Sequence, residues 1–333
     1  MKAFACRRCG NRLYFGNSEC LSCGSHLGFS RDEKAIVPVD DEGRYADADG
    51  KTWYVCANES LSGCTWLTDL DGGLCFSCAL TRTRPADDDS AGLAEYRIAE
   101  DAKRRLIVEL DERGFPITTR QQDPDTGLAF DLLSSAEERV TTGHSNGVIT
   151  LDLAESDDVH RERLRVKMDE PYRTMLGHFR HEIGHFFWQQ LVKDDLLEEF
   201  RELFGDERES YADAVQRHYD QGAPEDWEEC FISRYATMHP WEDFAETFAH
   251  YLHICDTVET ASAYGLAPVA APSHFTRFRD LVTGVWIPLS IALNQINRSM
   301  GKGALYPFVI RQPVLDKLEY VARLGQRERS SAS

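Results

Sequence analysis

The sequence predicts an α+β protein in which small cysteine-rich modules precede a mostly helical domain. Three observations carry this. Eight of the ten cysteines fall within residues 6–78, a polar stretch follows at 85–92, and from residue 171 the apolar spacing is almost wholly helical. Few strands followed by many helices fits an α+β layer arrangement with a site between lobes.

The modules come first. Cys6-x-x-Cys9 and Cys20-x-x-Cys23, each with a glycine close behind (Gly10, Gly24), read as two knuckles that together close one tetrahedral Cys₄ zinc site. Cys56, Cys64, Cys75 and Cys78 combine one regular pair with one stretched pair and are expected to form a second. Crossed pairing between the two groups stays open, because sequence gives spacing and not space. A disulfide framework fits poorly. The chain begins Met1-Lys2-Ala3-Phe4-Ala5-Cys6 with no apolar signal run, and no later stretch is long enough to span a membrane. A cytoplasmic setting with reduced thiols is therefore expected. Cys230 and Cys255 stand outside both groups and read as packed free thiols.

The layout follows as residues 1–34 for a first zinc ribbon, 35–84 for a second zinc-binding module, 85–92 for a linker and 93–333 for the main domain. Strand-like pieces at 35–39 and 51–55 surround Gly43 and Asp49-Gly50 turns. Residues 93–113 carry a helical stripe (Leu93, Ile98, Ala102, Leu106, Ile107, Leu110) that stops near Gly114 and Pro116. Strands are expected at 128–133 and 148–153. Helices are expected at 171–193, 195–204, 207–220, 225–235, 240–264, 273–299 and 312–325.

The chemistry concentrates in His181-Glu182-Ile183-Gly184-His185, which spells H-E-x-x-H. Two imidazoles four residues apart share one helical face and can grip one metal ion, while Glu182 can take a proton from the water that the metal activates. Phe179, Ile183, Gly184, Phe186 and Phe187 are uncharged, as a buried helix needs. A catalytic zinc wants a third protein ligand and one open position. Downstream, Pro240 suits a first helical turn and Glu242 and Glu246 lie one turn apart. His178, His239, His250 and His253 are rival ligands on the same helices.

These residues resemble gluzincin metallopeptidases, most closely the lethal-factor type, where Glu-x-x-Ala-Glu follows a tyrosine by seven residues. Carried over, the resemblance implies Glu242 as third ligand, Glu246 as the acceptor that orients a ligand histidine, and Tyr235 as donor to the oxyanion. It also implies that a strand ahead of the zinc helix edges the cleft, for which Val148–Leu153 is the candidate; an interior strand of a small sheet is the other reading of that segment. From its Cys-rich start through HFRHEIGH and HPWEDFAETFAHYLH to LYPFVI, the whole chain is similar to a bacterial family of zinc-ribbon-containing, zinc-binding metallopeptidases. The fold implied is a zincin-like domain behind zinc ribbons.

The expected function is zinc-dependent peptide hydrolysis by metal-activated water with Glu182 as general base, using one catalytic and two structural zinc ions. The expected partner is a peptide or protein substrate, with protein docking through the ribbons compatible and no membrane involved. The alternative is a ribbon module that binds protein or nucleic acid, attached to a catalytically silent, metal-bound helical body. A net charge of −19 disfavours nucleic acid, since long-range repulsion opposes a polyanion.

Overall fold

A computed structural model describes residues 3–135, 139–157, 174–268 and 277–331. They form two compact units. Of the described residues, the first comprises 3–109, 117–135, 139–157 and 174–176, the second 110–116, 177–268 and 277–331.

In the first unit, strands β1 (Phe4–Ala5) and β2 (Arg12–Leu13) make an antiparallel hairpin whose loop is the first cysteine knuckle. Gly10 N–H closes that loop onto the Cys6 carbonyl, and Gly24 N–H does the same to Cys20. Both glycines have positive φ (+75° and +68°), which a side chain would strain. Strands β3 (Leu27–Ser30) and β4 (Ala35–Pro38) pair antiparallel, as do β5 (Arg44–Ala46), β6 (Thr52–Val55) and β7 (Leu67–Thr68) in succession. Phe4, Phe15, Phe29 and Trp66 fill the space between them, with Phe29 and Trp66 ring centres 4.9 Å apart.

Short helix α1 (Glu59–Ser62) lies between Cys56 and Cys64, while α2 (Phe76–Ala79) carries Cys78 and leads directly into β8 (Thr81–Thr83). That strand joins β9 (Ala129–Leu133), β10 (Gly143–Ser145) and β11 (Val148–Asp152) in a four-stranded sheet of order β10-β11-β9-β8. The pairs β8·β9 and β9·β11 are parallel. Of the two readings of 148–153, a cleft-edging strand or an interior one, the interior one is observed. A two-residue Asn146-Gly147 turn, both residues at positive φ, folds β10 back onto β11 and makes β11 an interior strand.

Helix α3 (Ser90–Arg113) starts three residues before the expected stripe, where the Asp89 carboxylate accepts the Gly92 N–H at 2.8 Å. It buries Tyr96, Ala99, Leu106 and Ile107 together with a fully buried Glu100–Lys103 ion pair at 2.6 Å. Ile98, expected on this face, is 52% exposed, because two residues beyond Tyr96 is more than half a turn away.

The second unit is helical. It contains α4 (Met175–Leu191), α5 (Asp195–Phe204), α6 (Tyr211–Gln221), α7 (Pro240–Ala263), α8 (Phe278–Leu281), α9 (Ile287–Ser299) and α10 (Gln312–Ser331), with α8 running into α9 through a π-turn at Val282–Trp286. Positions 171–173 and 273–276 of the expected helices lie outside the described residues. The expected helix at 225–235 is instead two short 3₁₀ turns, Trp227–Glu229 and Tyr235–Thr237. Side chains take over the helix ladder's work there. Lys317 Nζ donates to the Cys230 carbonyl at 2.8 Å, and Ser233 Oγ accepts the Ala236 N–H at 3.1 Å. Cys230 is exposed rather than packed, while Cys255 is buried.

Helices α4 and α7 cross closely. A Cβ on Gly184 would come within 2.9 Å of the Ala245 Cα, so what Gly184 admits is the backbone of α7 itself. Phe187 and Phe248 stack at 5.5 Å, and Phe115 sits 4.9 Å from each. Phe200 and Phe204 of α5 pack on Phe244, and a buried Asp243–Lys317 pair at 2.6 Å ties α7 to α10. Burial pushes the Asp243 carboxyl up to about 7 against the pull of Lys317.

Candidate metal centres

Three groups of side chains converge. Cys6, Cys9, Cys20 and Cys23 form one, and Cys56, Cys64, Cys75 and Cys78 another. His181, His185 and Glu242 form the third, and the donor atoms of each group lie within 4.8 Å of one another. The two cysteine groups do not exchange members.

Zinc–sulfur bonds of about 2.3 Å in a tetrahedron set sulfur separations near 3.8 Å. Observed distances are 3.8 Å for Cys6–Cys23, 3.6 Å for Cys9–Cys20 and 3.6 Å for Cys64–Cys75. Backbone N–H groups of Asn58 and Cys75 point at Cys56 Sγ (3.4 and 3.2 Å), and Asn58 Nδ2 points at Cys78 Sγ (3.4 Å), which favours thiolates. Both groups suit a closed metal site.

The third group is built by α4 and α7. The four-residue spacing on α4 sets His181 one turn before His185, their rings edge-to-face with centres 5.0 Å apart. The start of α7 is set by His239, whose Nδ1 accepts the Trp241 N–H at 3.1 Å, so Pro240 and Glu242 fall in the first turn. The His181 Nε2–Glu242 Oε2, His181 Nε2–His185 Nε2 and His185 Nε2–Glu242 Oε2 separations are 3.1, 3.2 and 3.4 Å. Zinc bonds to nitrogen and oxygen of about 2.0–2.1 Å need donors about 3.3 Å apart, so this triangle has the right size.

Protonation agrees. The Glu246 carboxylate accepts from His181 Nδ1 at 2.8 Å, which leaves Nε2 a lone pair facing another imidazole nitrogen and a carboxylate. Such a convergence calls for positive charge, either a bound metal ion or, without one, a second proton on His181. Burial opposes an imidazolium at His181, yet Glu242 and Glu246 outweigh it and lift its pKa well above the usual range. Burial likewise opposes the Glu242 carboxylate, but His185 and His181 pull its pKa well below normal.

Glu182 is buried, and its Oε2 has no hydrogen-bond partner among the described residues. Burial raises its pKa, against the opposing pull of His181 and His185. Tyr235 packs 5.8 Å from the His181 ring, and burial together with the Glu242 charge keeps its phenol protonated. His239 serves as the helix cap and reaches the Glu209 carbonyl at 3.2 Å. His250 meets the Tyr306 hydroxyl at 2.8 Å and His253 meets Arg180 at 2.6 Å, so none of these joins the donor triangle. Nor does His178.

Two polar contacts escaped the sequence reading. Tyr211 O–H donates to Glu242 Oε1 at 2.8 Å, and Ser233 O–H donates to Glu246 Oε2 at 2.6 Å. Neither residue stands at a fixed helical interval from its partner, so no periodic signal marks it.

Residues 92–324 match the family described as "Putative zinc-binding metallo-peptidase", and residues 3–89 match a zinc-ribbon domain. The chain belongs to this metallo-peptidase family. Within the family's zinc-binding theme, the two Cys₄ groups fall in the ribbon region and the His/His/Glu group in the metallo-peptidase region. Similar proteins include "Uncharacterized protein Rv2568c" of Mycobacterium tuberculosis H37Rv and "Uncharacterized protein Mb2598c" of Mycobacterium bovis. Each is 56% identical over 333 residues, covering 96% of this chain and 94% of the relative. No solved structure matches the chain significantly. None of the described helices is long and apolar enough to cross a membrane.

Proposed function

We propose that the chain is a zinc-dependent peptidase of the gluzincin H-E-x-x-H type, with His181, His185 and Glu242 as ligands of the catalytic ion. The observation that carries this reading is the donor triangle from two helices beside the buried, unpartnered carboxylate oxygen of Glu182. Zinc held there would polarise the scissile carbonyl and acidify a water.

Glu182 takes the proton from the attacking water and passes it to the leaving amine. Burial raises its pKa from the usual carboxylate value, which favours a group that must hold a proton in transit. Tyr235, kept protonated by its surroundings, donates to the oxyanion. Glu246 and Ser233 hold the His181 ring in the tautomer that ligation needs.

The substrate on this reading is a peptide or protein, and the setting cytoplasmic, where reduced thiols serve the cysteine groups as structural zinc clamps. A nucleic-acid role for the ribbons gains no support. Arg7, one of the cationic residues near the start, is already paired with Glu33 at 2.6 Å.

Incubating the full chain with a quenched-fluorescent peptide library tests the reading. Wild type should cleave, and Glu182→Gln should keep its metal content yet lose cleavage by at least about a hundred-fold. A Glu182→Gln variant as active as wild type overturns it.

A further inference from the structure

The two oxygens of Glu242 do different things. Oε2 belongs to the donor triangle, 3.1 Å from His181 Nε2 and 3.4 Å from His185 Nε2. Oε1 is held by the hydroxyl of Tyr211 at 2.8 Å. We propose that Tyr211 is a positioning residue that restrains Glu242 to giving the metal one oxygen, so that a coordination position stays open for substrate and water. The inference rests on the metal site proposed above.

A carboxylate beside a divalent ion binds through one oxygen or two, and the choice is decided by what else holds the second oxygen. A bidentate Glu242 would use the position that catalysis needs free. A hydrogen bond from a neutral phenol keeps Oε1 engaged without adding charge, leaving Oε2 as the ligand.

The surroundings of Tyr211 hold it in place. It is the first residue of α6, whose N-cap Ser210 accepts the Asp213 N–H. His239 reaches the carbonyl of Glu209, two residues before Tyr211, at 3.2 Å. The Tyr211 ring packs at 5.3 Å on His239 and 6.2 Å on Trp241. The residues that start α7, and thereby place Glu242, thus also place the phenol that restrains it.

Cobalt serves as the probe. The third site is stripped by a chelator under conditions that leave zinc in the cysteine groups, and Co²⁺ is added to wild type, Tyr211→Phe and Tyr235→Phe. Absence of thiolate-to-cobalt charge transfer confirms that only the third site has been loaded. Wild type and Tyr235→Phe should give the intense visible bands of four-coordinate cobalt. Tyr211→Phe should give the weaker bands of a five-coordinate ion, with kcat down about ten-fold and KM little changed. An unchanged spectrum for Tyr211→Phe overturns the proposal, as does a Tyr211→Phe chain that melts like wild type but no longer binds cobalt. Failure of wild type itself to bind cobalt overturns the metal site and this inference together. Bound cobalt with the predicted spectral change but no peptide cleavage by any form supports the role of Tyr211 while removing the peptidase reading.

Discussion

Glu246 Oε1 lies 2.8 Å from His181 Nδ1 and thereby decides which nitrogen of that ring is free to bind a metal. The contact spans α4 and α7, so on the proposed reading the orientation of one ligand would be stored on the helix that supplies another. Its loss should be felt as ligand disorder rather than as loss of a ligand.

Glu246→Ala should accordingly weaken zinc at the third site by about 10–100-fold. Glu242→Ala removes a donor outright and should weaken it more. Competition with a fluorescent zinc chelator ranks the two, and the opposite order would move the third ligand away from Glu242.

The three converging groups predict three zinc ions per chain, measured by mass spectrometry of the intact protein. His185→Ala should bind two, with the cysteine sites intact. Cys75→Ser should lose a different ion and melt at a lower temperature, because a Cys₄ site contributes directly to folding.

Gly184→Ala tests the crossing of α4 and α7. Alanine improves helix propensity by about 1 kcal/mol, but its methyl would press on the rigid Ala245 Cα, and overpacking costs about 1–3 kcal/mol. A net loss of up to about 2 kcal/mol is expected by urea unfolding. Pushing the helices apart also separates His181 and His185 from Glu242, so zinc affinity at the third site should fall as well. An alanine variant with unchanged stability and affinity would show the crossing to be loose.

Acid should destabilise the second unit through His250. Burial holds its folded pKa down to about 4 despite the nearby Glu246 charge, whereas an unfolded histidine titrates near 6.5. Between those values the unfolded chain binds more protons, so stability rises with pH across this window and is lost as pH falls. The share from His250 is at most about 3 kcal/mol. His250→Gln should flatten the difference between urea midpoints at about pH 5 and pH 7. An unchanged difference would assign the acid sensitivity to other groups, such as His253, which burial beside Arg180 also holds well below its usual pKa.

Much of this was legible where chemistry imposes a short spacing. H-E-x-x-H and C-x-x-C work within one turn of chain, so His181, His185 and the regular cysteine pairs could be read directly. Glu242 and Glu246 followed from the resemblance to lethal-factor-type gluzincins, with the spacing behind Pro240 placing them on one helical face. Tyr211 and Ser233 did not, because they meet their partners only after the chain has folded back. Trp227 and Phe231 share a four-residue interval that mimics a helix. The backbone there is satisfied by Lys317 and Ser233 instead, and no local pattern announces that. The β10–β11 turn is a different case. Asn146-Gly147 is a strong hairpin signal, and it decides between the two readings of Val148–Asp152 in favour of the interior of the sheet.

Helix α2 carries Cys78 and, after Leu80, the chain enters β8, which is bonded along β9 and anchored by Arg82 on Asp131 and Thr81 on Glu100. The ion-binding turn and the outermost sheet strand are consecutive stretches of one backbone. Opening that turn would therefore free the start of β8 and leave Arg82 and Thr81 to hold the strand in place, so the cysteine group reinforces the sheet's outer side.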